Sequence, residues 1–195
     1  MKKVSYKKYF DKAFAEHERV LRISKKKIQK NLEISIELIG NSLINNGTIF
    51  WCGNGGSAAD SQHMAAEFVG RFKKNRKPLR SIALTTDSSI LTCISNDYSF
   101  DEVFARQIKS LGRNGDVLIA ITTSGNSINI KKALIAAKTL GLKTIGLLGN
   151  DGGKCKNFAD IPIVIPSNNT ARIQEMHILI EHLICEIIEH KLDLI

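Results

Sequence analysis

The amino-acid sequence predicts an α/β protein, doubly wound around a mainly parallel five-stranded sheet that is flanked by helices. Its 195 residues, 43% of them hydrophobic, are enough to bury one sizeable core. After residue 46, short apolar segments rich in β-branched residues alternate with helical patterns. Strands that alternate with helices indicate parallel pairing, with both faces of the sheet covered. The five predicted strands are Thr48–Cys52, Ser81–Leu84, Val117–Thr122, Lys143–Leu148 and Ile161–Ile165.

Residues 5–46 precede this core and predict two helices. The second is the clearer one, because its apolar residues recur at steps of three and four and form one stripe: Ile28, Leu32, Ile36, Ile39 and Leu43. Asn45, Asn46 and Gly47 then end the helix. We therefore expect an N-terminal helical segment over residues 1–46 and an α/β core over residues 47–195.

The last predicted helix covers about residues 171–189 and is apolar on more than one side. Its apolar residues are Ile173, Met176, Ile178, Leu179, Ile180, Leu183, Ile184, Ile187 and Ile188. A helix that is apolar nearly all round is normally buried on all sides. A terminal helix of a chain this short is hard to bury so fully, so the pattern favours packing against a second subunit.

Charge and cysteine usage narrow the class of protein. The net charge is +9, and two basic clusters stand out, Lys25–Lys27 with Lys30 and the stretch over residues 73–80. Neither contains the interleaved aromatic residues or the signatures typical of nucleic-acid binding, so we interpret both as solvated surface and expect no nucleic-acid partner. The four cysteines form no CxxC pair, which favours free thiols in a reducing cytoplasm.

The sequence also contains no pattern typical of membrane insertion or export. The longest uninterrupted apolar run, Val117–Ile121, is far shorter than the roughly 20 residues of a membrane span. The basic start of the chain is not followed by the apolar core of a signal peptide. We therefore expect a cytoplasmic protein without a membrane partner.

In open α/β sheets, ligands bind beyond the carboxyl ends of the strands, so the loops that follow the strands are the first candidates. The loop Gly53–Ala58 satisfies the GxGxxA form of the dinucleotide fingerprint. The acidic residue that should follow about 20 positions later is missing, because residues 73–77 read KKNRK. No P-loop lysine follows either, so we expect no nucleotide cofactor.

The loop Thr122–Ser127 carries four hydroxyls in six residues at a helix start. Unpaired backbone N–H groups and the positive end of the helix dipole favour an anion there, and hydroxyls donate to phosphoryl oxygens. This pattern favours a phosphate site. The alternative is that Ser124 or Ser127 simply caps the helix, although capping needs only one hydroxyl.

Ionisable side chains occur on two of the predicted helices. His63 and Glu67 stand four residues apart, so they share a helix face and are able to hold one metal or act as a pair, although such pairs are often surface contacts. Gln174 and His182 lie on the last helix, where polar residues need partners. His177 and Glu181 are rival candidates on that helix. His17 and His190, near the chain ends, are expected to be solvated.

Four segments, in this order and spacing, resemble the phosphoheptose isomerases of the sugar isomerase (SIS) fold: CGNGGSAADSQHMAAEFVGRF, SNDYSFDEVFARQI, GDVLIAITTSGNS and ARIQEMHILIEHLIC. The resemblance implies one SIS domain over residues 1–195 and an aldose–ketose isomerase. It further implies conversion of sedoheptulose 7-phosphate to D-glycero-D-manno-heptose 7-phosphate by a cytoplasmic homotetramer that contains zinc.

The resemblance also assigns roles to individual residues. The implied metal ligands are His63, Glu67, Gln174 and His182. The implied substrate contacts are Asn54, Gly55, Gly56, Ser57, Glu67, Asn96, Asp97 and Gln174, with the phosphate loop formed by Thr122, Thr123, Ser124 and Ser127. Two departures from the family pattern stand out. Thr122 replaces a frequent serine and keeps its hydroxyl, whereas Asn168 and Asn169 replace residues that are often acidic.

An aldose–ketose isomerase needs a base for a carbon-bound proton, an acid for the oxygens and a group that stabilises the enediolate. Glu67 is the candidate base and His182 the candidate acid, while zinc would polarise the carbonyl. A carboxylate bound to zinc is a poorer base, so the two roles of Glu67 compete.

Two further expectations follow from the same residues. Because Gln174 and His182 are about 12 Å apart along one helix, we expect a site shared between subunits, with at least one of them supplied by a second chain. The alternative function is a non-catalytic SIS protein, either sugar-phosphate-binding or replication-initiator-associating. The initiator-associating relatives lack the acid at position 67 and the histidine at position 182, both of which this chain keeps.

Overall fold

The computed structural model describes residues 5–193. Its sheet contains five strands, all paired in parallel. The strands are β1 (Ile49–Gly53), β2 (Ser81–Ala83), β3 (Val117–Thr122), β4 (Lys143–Gly149) and β5 (Ile161–Ile165). Every predicted strand is confirmed to within one residue at each end, because each is a short apolar run that ends in turn-forming residues.

The strand order is β2-β1-β3-β4-β5, so the chain reverses its direction of winding between β1 and β3. These two strands are neighbours, and Gly53 at the end of β1 pairs with Ile121 near the end of β3. The loops that leave their carboxyl ends therefore lie next to each other. This topological switch point is where open α/β sheets usually bind ligands.

Six α-helices cover the two faces of the sheet, as expected for a doubly wound protein. One face carries α1 (Tyr6–Ile44), α2 (Gly56–Val69) and α6 (Thr170–Lys191), and the other carries α3 (Ser88–Asp97), α4 (Val103–Leu111) and α5 (Ile128–Thr139). Successive strand residues point to opposite faces. Trp51 and Ile119 consequently join the first core cluster, whereas Phe50 and Leu118 join the second.

The prediction of two N-terminal helices is wrong, because α1 is one continuous helix of 39 residues. No proline and a single glycine, Gly40, occur within it, so nothing in the sequence forces a break. Val20, Ile28, Ile36 and Ile39 are buried, whereas residues 6–19 include no buried side chain. The first third of α1 therefore contributes nothing to the apolar core of this chain.

The expected apolar surplus of the last helix is confirmed in α6. Ile173, Met176, Ile180, Ile184 and Ile188 are buried against the sheet and its neighbours. Leu179, Leu183 and Ile187 form a second stripe, each 38 to 39% exposed. One chain thus buries only one side of α6, and the packing of the other side against a second subunit stays a prediction.

The charged and sulfur-containing residues are distributed largely as expected. Lys25–Lys27 and Lys30 are exposed on α1. In the second basic cluster the side chain of Arg76 is only 2% exposed, so that cluster is not uniformly solvated. All four cysteines are free thiols. Among residues 5–193, no helix combines the length and the apolar character that a bilayer crossing requires.

Candidate active site

The loop between β1 and α2 owes its shape to two glycines. Gly55 has a φ of 57°, in the left-handed region that favours glycine, and it caps the start of α2. A Cβ atom on Gly56 would collide with the side-chain amide of Gln174. Gly56 therefore allows α6 to bring Gln174 directly against the start of α2.

The loop between β3 and α5 gathers its hydroxyls in one place. The Thr122 hydroxyl lies 3.3 Å from that of Ser124 and 3.1 Å from that of Ser127. Ser127 occupies the N-cap position of α5, yet its side chain makes no capping hydrogen bond. Ser124 accepts a hydrogen bond from the backbone N–H of Asn126 within the loop. Helix capping therefore does not account for the Ser127 hydroxyl.

Gly125 holds this hydroxyl loop in place. Its φ of 68° lies in the left-handed region, and a Cβ atom there would collide with the backbone of Gly152. Its carbonyl accepts a hydrogen bond of 2.8 Å from the backbone N–H of Cys155. The hydroxyl loop is thus packed backbone to backbone against the loop that follows β4.

Asn54 and Asn129 join the two loops at the switch point. Each side-chain amide donates to the carbonyl oxygen of the other, both at 2.9 Å. Asn129 is buried and also accepts from the backbone N–H of Ile130. The sequence analysis missed Asn129. Its only signal was an amide side chain inside an otherwise apolar helix start, where a buried polar group needs a partner.

The two loops and the start of α6 enclose a cleft of about 260 Å³ at the carboxyl edge of the sheet. Eight of the predicted site residues line it, together with Ile121 and Thr170: Asn54, Gly56, Ser57, Thr122, Thr123, Ser124, Ser127 and Gln174. A larger groove of about 530 Å³ lies beside α4 and α5 and is lined by Lys109 and Lys132, but Lys132 is paired with Glu102 at 2.6 Å, and the one hydroxyl of the groove, on Thr139, donates to a helix carbonyl. The convergent hydroxyls at the switch point make the smaller cleft the candidate phosphate site.

Asn96 and Asp97 lie elsewhere, at the exposed end of α3, and do not line this cleft. Asn96 donates a 2.8 Å hydrogen bond to Asp97. This hydrogen bond, and to a smaller extent one that the Cys93 thiol donates to the same carboxylate, lowers the pKa of Asp97. Their predicted contact with substrate stays a prediction, since one chain does not bring them to the cleft.

Glu67, His63 and His182 meet where α2 packs against α6, and we call these three residues the histidine–glutamate cluster. The Nε2 atoms of the two histidines are 3.1 Å apart, with ring centroids separated by 5.4 Å. Glu67 Oε1 lies 3.7 Å from His63 Nε2, as expected for residues four apart on one helix face. The side chains of His63 and Glu67 are 45% and 22% exposed, so solvent and small ligands reach the cluster.

The donor set of the cluster fits zinc. Two imidazoles and a carboxylate are ligands that zinc takes, and nitrogen ligands bound at 2.0–2.1 Å lie about 3.3 Å apart in a tetrahedron. The two Nε2 atoms are already near that separation. Among residues 5–193, however, no group of three or more His, Cys, Asp and Glu side chains is close enough to form a complete metal site. The cluster is thus a histidine pair with Glu67 beside it.

The sequence predicted that at least one of Gln174 and His182 comes from a second chain, and this geometry does not require His182 to do so. The packing of α2 against α6 brings His182 to His63 within one chain. Gln174 lies nearer the start of α6 and lines the cleft. Whether a second chain supplies a Gln174 side chain to the cluster stays a prediction.

The rival candidates on α6 are buried away from the cleft. Neither ring nitrogen of His177 and neither oxygen of Glu181 has a hydrogen-bond partner among residues 5–193. Burial lowers the pKa of His177 to about 4 and raises that of Glu181 to about 8, with a further increase from the nearby Asp60. Both groups are therefore held in their neutral forms at pH 7.

The two histidines near the chain ends differ from each other. His17 was expected to be solvated, but its Nδ1 atom lies 2.6 Å from Glu175 and links α1 to α6. His190 is exposed, as expected.

The sheet order, the hydroxyl loop at the switch point and the cleft define a sugar isomerase domain, and residues 8–149 match the SIS domain family. The chain belongs to the phosphoheptose isomerase family. It is 52% identical over 178 residues to the phosphoheptose isomerase of Helicobacter pylori strain P12, covering 91% of this chain and 93% of that protein.

Two solved structures support the same assignment. A phosphoheptose isomerase from Neisseria gonorrhoeae is 43% identical, with a TM-score of 0.90 over 95% of this chain and all of that one. A phosphoheptose isomerase from Francisella tularensis is 34% identical, with a TM-score of 0.92 over 96% of this chain and all of that one. The protein is therefore an isomerase with the fold that the sequence predicted.

Proposed function

We propose that the protein interconverts sedoheptulose 7-phosphate and D-glycero-D-manno-heptose 7-phosphate, as an aldose–ketose isomerase that supplies heptose for lipopolysaccharide or capsule. The observation that carries this proposal is the arrangement along the α2–α6 contact. A hydroxyl-lined cleft lies at one end of that contact, and the histidine–glutamate cluster lies further along both helices.

The spacing of these two parts suits a seven-carbon sugar. From Ser57 to His63 is about 9 Å along α2, and from Gln174 to His182 is about 12 Å along α6. An open-chain heptose with its phosphate on C7 extends over roughly 8 to 9 Å to C1 and C2, given C–C bonds near 1.5 Å. With the phosphate in the cleft, the reacting carbons reach the cluster.

The phosphate is bound by neutral donors. The hydroxyls of Thr122, Ser124 and Ser127 converge, and the start of α5 adds its unpaired N–H groups and the positive end of its dipole. No lysine or arginine is among the described residues that line the cleft, so these donors would bind a phosphate without a cationic side chain. The Asn54–Asn129 pair keeps the β1–α2 loop at a fixed distance from these donors.

The proton transfers are assigned to the cluster. In the ketose-to-aldose direction, Glu67 takes a proton from C1, which leaves an enediolate, and a proton is then delivered to C2. His182 exchanges the protons of the oxygens on C1 and C2. The Glu67 side chain is 22% exposed, and its Oε1 atom faces His63 at 3.7 Å, so the carboxylate lies beside the histidines and is still open to a ligand.

Zinc is proposed as the metal, with His63, Glu67 and His182 as ligands from the cluster. The fourth is Gln174 of a second chain, because this chain's own Gln174 lies at the cleft, about 12 Å along α6 from His182. When bound, zinc supplies a Lewis acid that polarises the substrate carbonyl and stabilises negative charge on the oxygens. The donor types and the 3.1 Å separation of the histidine nitrogens support this assignment.

A homotetramer in the cytoplasm completes the proposal. Tyr6, Tyr9, Phe10 and Phe14 on the first turns of α1 are 62 to 75% exposed, and the outer stripe of α6 is also apolar. Apolar surface of this extent is typical of subunit interfaces. Four free cysteines are consistent with a reducing compartment.

The competing function is sugar-phosphate binding without turnover, because the cleft alone would serve a binding protein. Catalysis is favoured because the chain keeps both Glu67 and His182, and both side chains lie beside His63. The test is to incubate the purified protein with sedoheptulose 7-phosphate and follow the products by NMR, with and without a chelator. Formation of the aldose phosphate that the chelator abolishes is expected, whereas saturable binding without product would contradict the proposal.

A further inference from the structure

The loop after α2 is fastened to α6 by a buried ion pair. Arg76 Nε donates to Glu189 Oε1 at 2.7 Å, and the two side chains are only 2% and 1% exposed. Glu189 also accepts from the backbone N–H groups of Phe72 at 3.0 Å and Lys73 at 3.1 Å. One carboxylate of α6 thus receives three donors from this loop, which satisfies a charge that would otherwise be costly to bury.

Arg76 also caps the carboxyl-terminal end of α2. Its guanidinium donates to the backbone carbonyls of Glu67 at 2.7 Å and Phe68 at 2.8 Å. Carbonyls in the last turn of a helix have no partner within the helix. A planar guanidinium with five N–H donors serves these carbonyls and a carboxylate together, which a lysine ammonium does not. One side chain therefore sets the position of the Glu67 backbone relative to α6.

Phe72 links the Arg76–Glu189 ion pair to His182. Its ring stacks on the imidazole of His182, with centroids 5.5 Å apart and planes inclined by 26°. Its backbone N–H is held by Glu189, which lies seven residues, or about two turns, beyond His182 on the same helix. The stacked ring restricts the rotation of the imidazole and keeps its Nε2 atom directed toward His63.

We propose that Arg76, Glu189 and Phe72 are positioning residues that fix the geometry of the histidine–glutamate cluster. None of the three needs to touch substrate. Arg76 and Glu189 set the distance between the helices that carry the cluster, and Phe72 orients one of its imidazoles. This inference rests on the proposed function, because it concerns the metal affinity and the turnover assigned to that cluster.

The expected loss of zinc affinity or turnover is estimated from residues that orient metal ligands in other proteins. Partners that orient metal ligands typically change metal affinity or activity by about 10-fold to 100-fold when they are removed. The hydroxyls of the cleft lie on other loops, so removal of the Phe72 ring should leave the Michaelis constant within about twofold. A lower kcat with an unchanged KM is the signature of a positioning role.

Phe72→Leu is the most informative variant, because it removes the flat ring and leaves the buried ion pair intact. Glu189→Gln and Arg76→Ala would each leave a buried charge unpaired and risk unfolding. Phe72→Tyr keeps the stacked ring and should restore wild-type behaviour. Phe158→Leu is the matched control, since Phe158 is also half-buried and carries the Lys131 ammonium over its ring, 4.7 Å from the centroid, on the other side of the sheet.

The measurements are the zinc dissociation constant, by competition with a chromophoric chelator, and kcat and KM for sedoheptulose 7-phosphate. A tenfold or greater loss in zinc affinity or kcat for Phe72→Leu, with Phe72→Tyr and Phe158→Leu near wild type, supports the proposal. A smaller loss in both quantities overturns it, as does an equal loss in Phe158→Leu. If the wild-type protein binds no zinc, the metal assignment fails, and the comparison of kcat values alone then decides on the positioning residues.

Discussion

The Nε2 atoms of His63 and His182 lie 3.1 Å apart although 119 positions separate the two residues in the chain. His63 lies on α2 and His182 on α6, and both helices cover the same face of the sheet. The contact places Glu67 beside the pair and makes the α2–α6 contact the centre of the proposed reaction.

Replacement of Glu67 by Gln should abolish turnover while the fold stays intact. The amide keeps the shape of the side chain but does not accept the carbon-bound proton, so kcat should fall by more than about 100-fold. Steady-state kinetics and a circular dichroism spectrum provide the measurement. Glu18→Gln, on the exposed surface of α1, is the control. Retention of more than about a tenth of the wild-type rate would rule out Glu67 as the base.

Ser124→Ala should raise the Michaelis constant more than it lowers kcat. The phosphate is remote from the reacting carbons, so it is bound about equally in the ground and transition states. Loss of a hydroxyl donor to a charged group costs about 1.5–3 kcal/mol, which corresponds to a tenfold or larger increase in KM. Ser110→Ala changes an exposed serine on α4 and should leave KM unchanged. An unaltered KM in Ser124→Ala would place the phosphate elsewhere.

Glu181→Gln should stabilise the protein at alkaline pH. Burial, with a contribution from Asp60, raises the folded-state pKa of Glu181 from 4.5 to about 8. Because the folded state then holds a proton that the unfolded state has lost, wild-type stability falls as the pH rises from 4.5 to 8. The Glu181→Gln variant has no ionisable group at this position, so its stability does not fall for this reason as the pH rises.

The melting temperature at two pH values measures this effect. At pH 8 the Glu181→Gln variant should melt roughly 4 °C or more above the wild type, given about 2–4 °C per kcal/mol for a chain of this size. At pH 4.5 the two should melt together. Glu33→Gln, on an exposed side chain of α1, should change neither value. Equal melting temperatures at pH 8 would show that Glu181 is not held neutral.

Subunit exchange between two inactive variants should restore no activity. Since His63, Glu67 and His182 meet within one chain, a mixture of Glu67→Gln and His182→Ala chains contains no intact cluster. Native mass spectrometry checks that mixed oligomers have formed before the assay. Recovery of activity in the mixture would show that a second chain completes the cluster, as the sequence alone had suggested.

The sheet and the cleft were predictable because their signals are local. β3 and β5 are apolar runs of five or six residues, and the hydroxyl loop follows β3 directly. The topology rule then places this loop beside the one that leaves β1. Eight residues that the sequence and its family resemblance indicated as substrate contacts line this cleft, and their contact with substrate stays a prediction.

Contacts between distant segments were not predictable from the sequence. In the sequence, Arg76 is one of several basic residues in its cluster and nothing distinguishes it. Its partner Glu189 is 113 positions away, so the ion pair is evident only from the packing of α6. Asn129 is likewise unremarkable until it meets Asn54, 75 positions away. The continuity of α1 also escaped the sequence analysis, because two separate apolar stripes and one long helix give similar patterns.

The most direct test of the proposed chemistry is the reaction of sedoheptulose 7-phosphate in D₂O, followed by ¹H and ¹³C NMR with the wild type and with Glu67→Gln. A base that takes a proton from C1 and exchanges it with solvent predicts an aldose phosphate that carries deuterium at C2, together with no product from Glu67→Gln. Turnover by Glu67→Gln equal to that of the wild type would contradict proton transfer through Glu67, and an aldose that contains only protium at C2 would contradict exchange of the transferred proton with solvent.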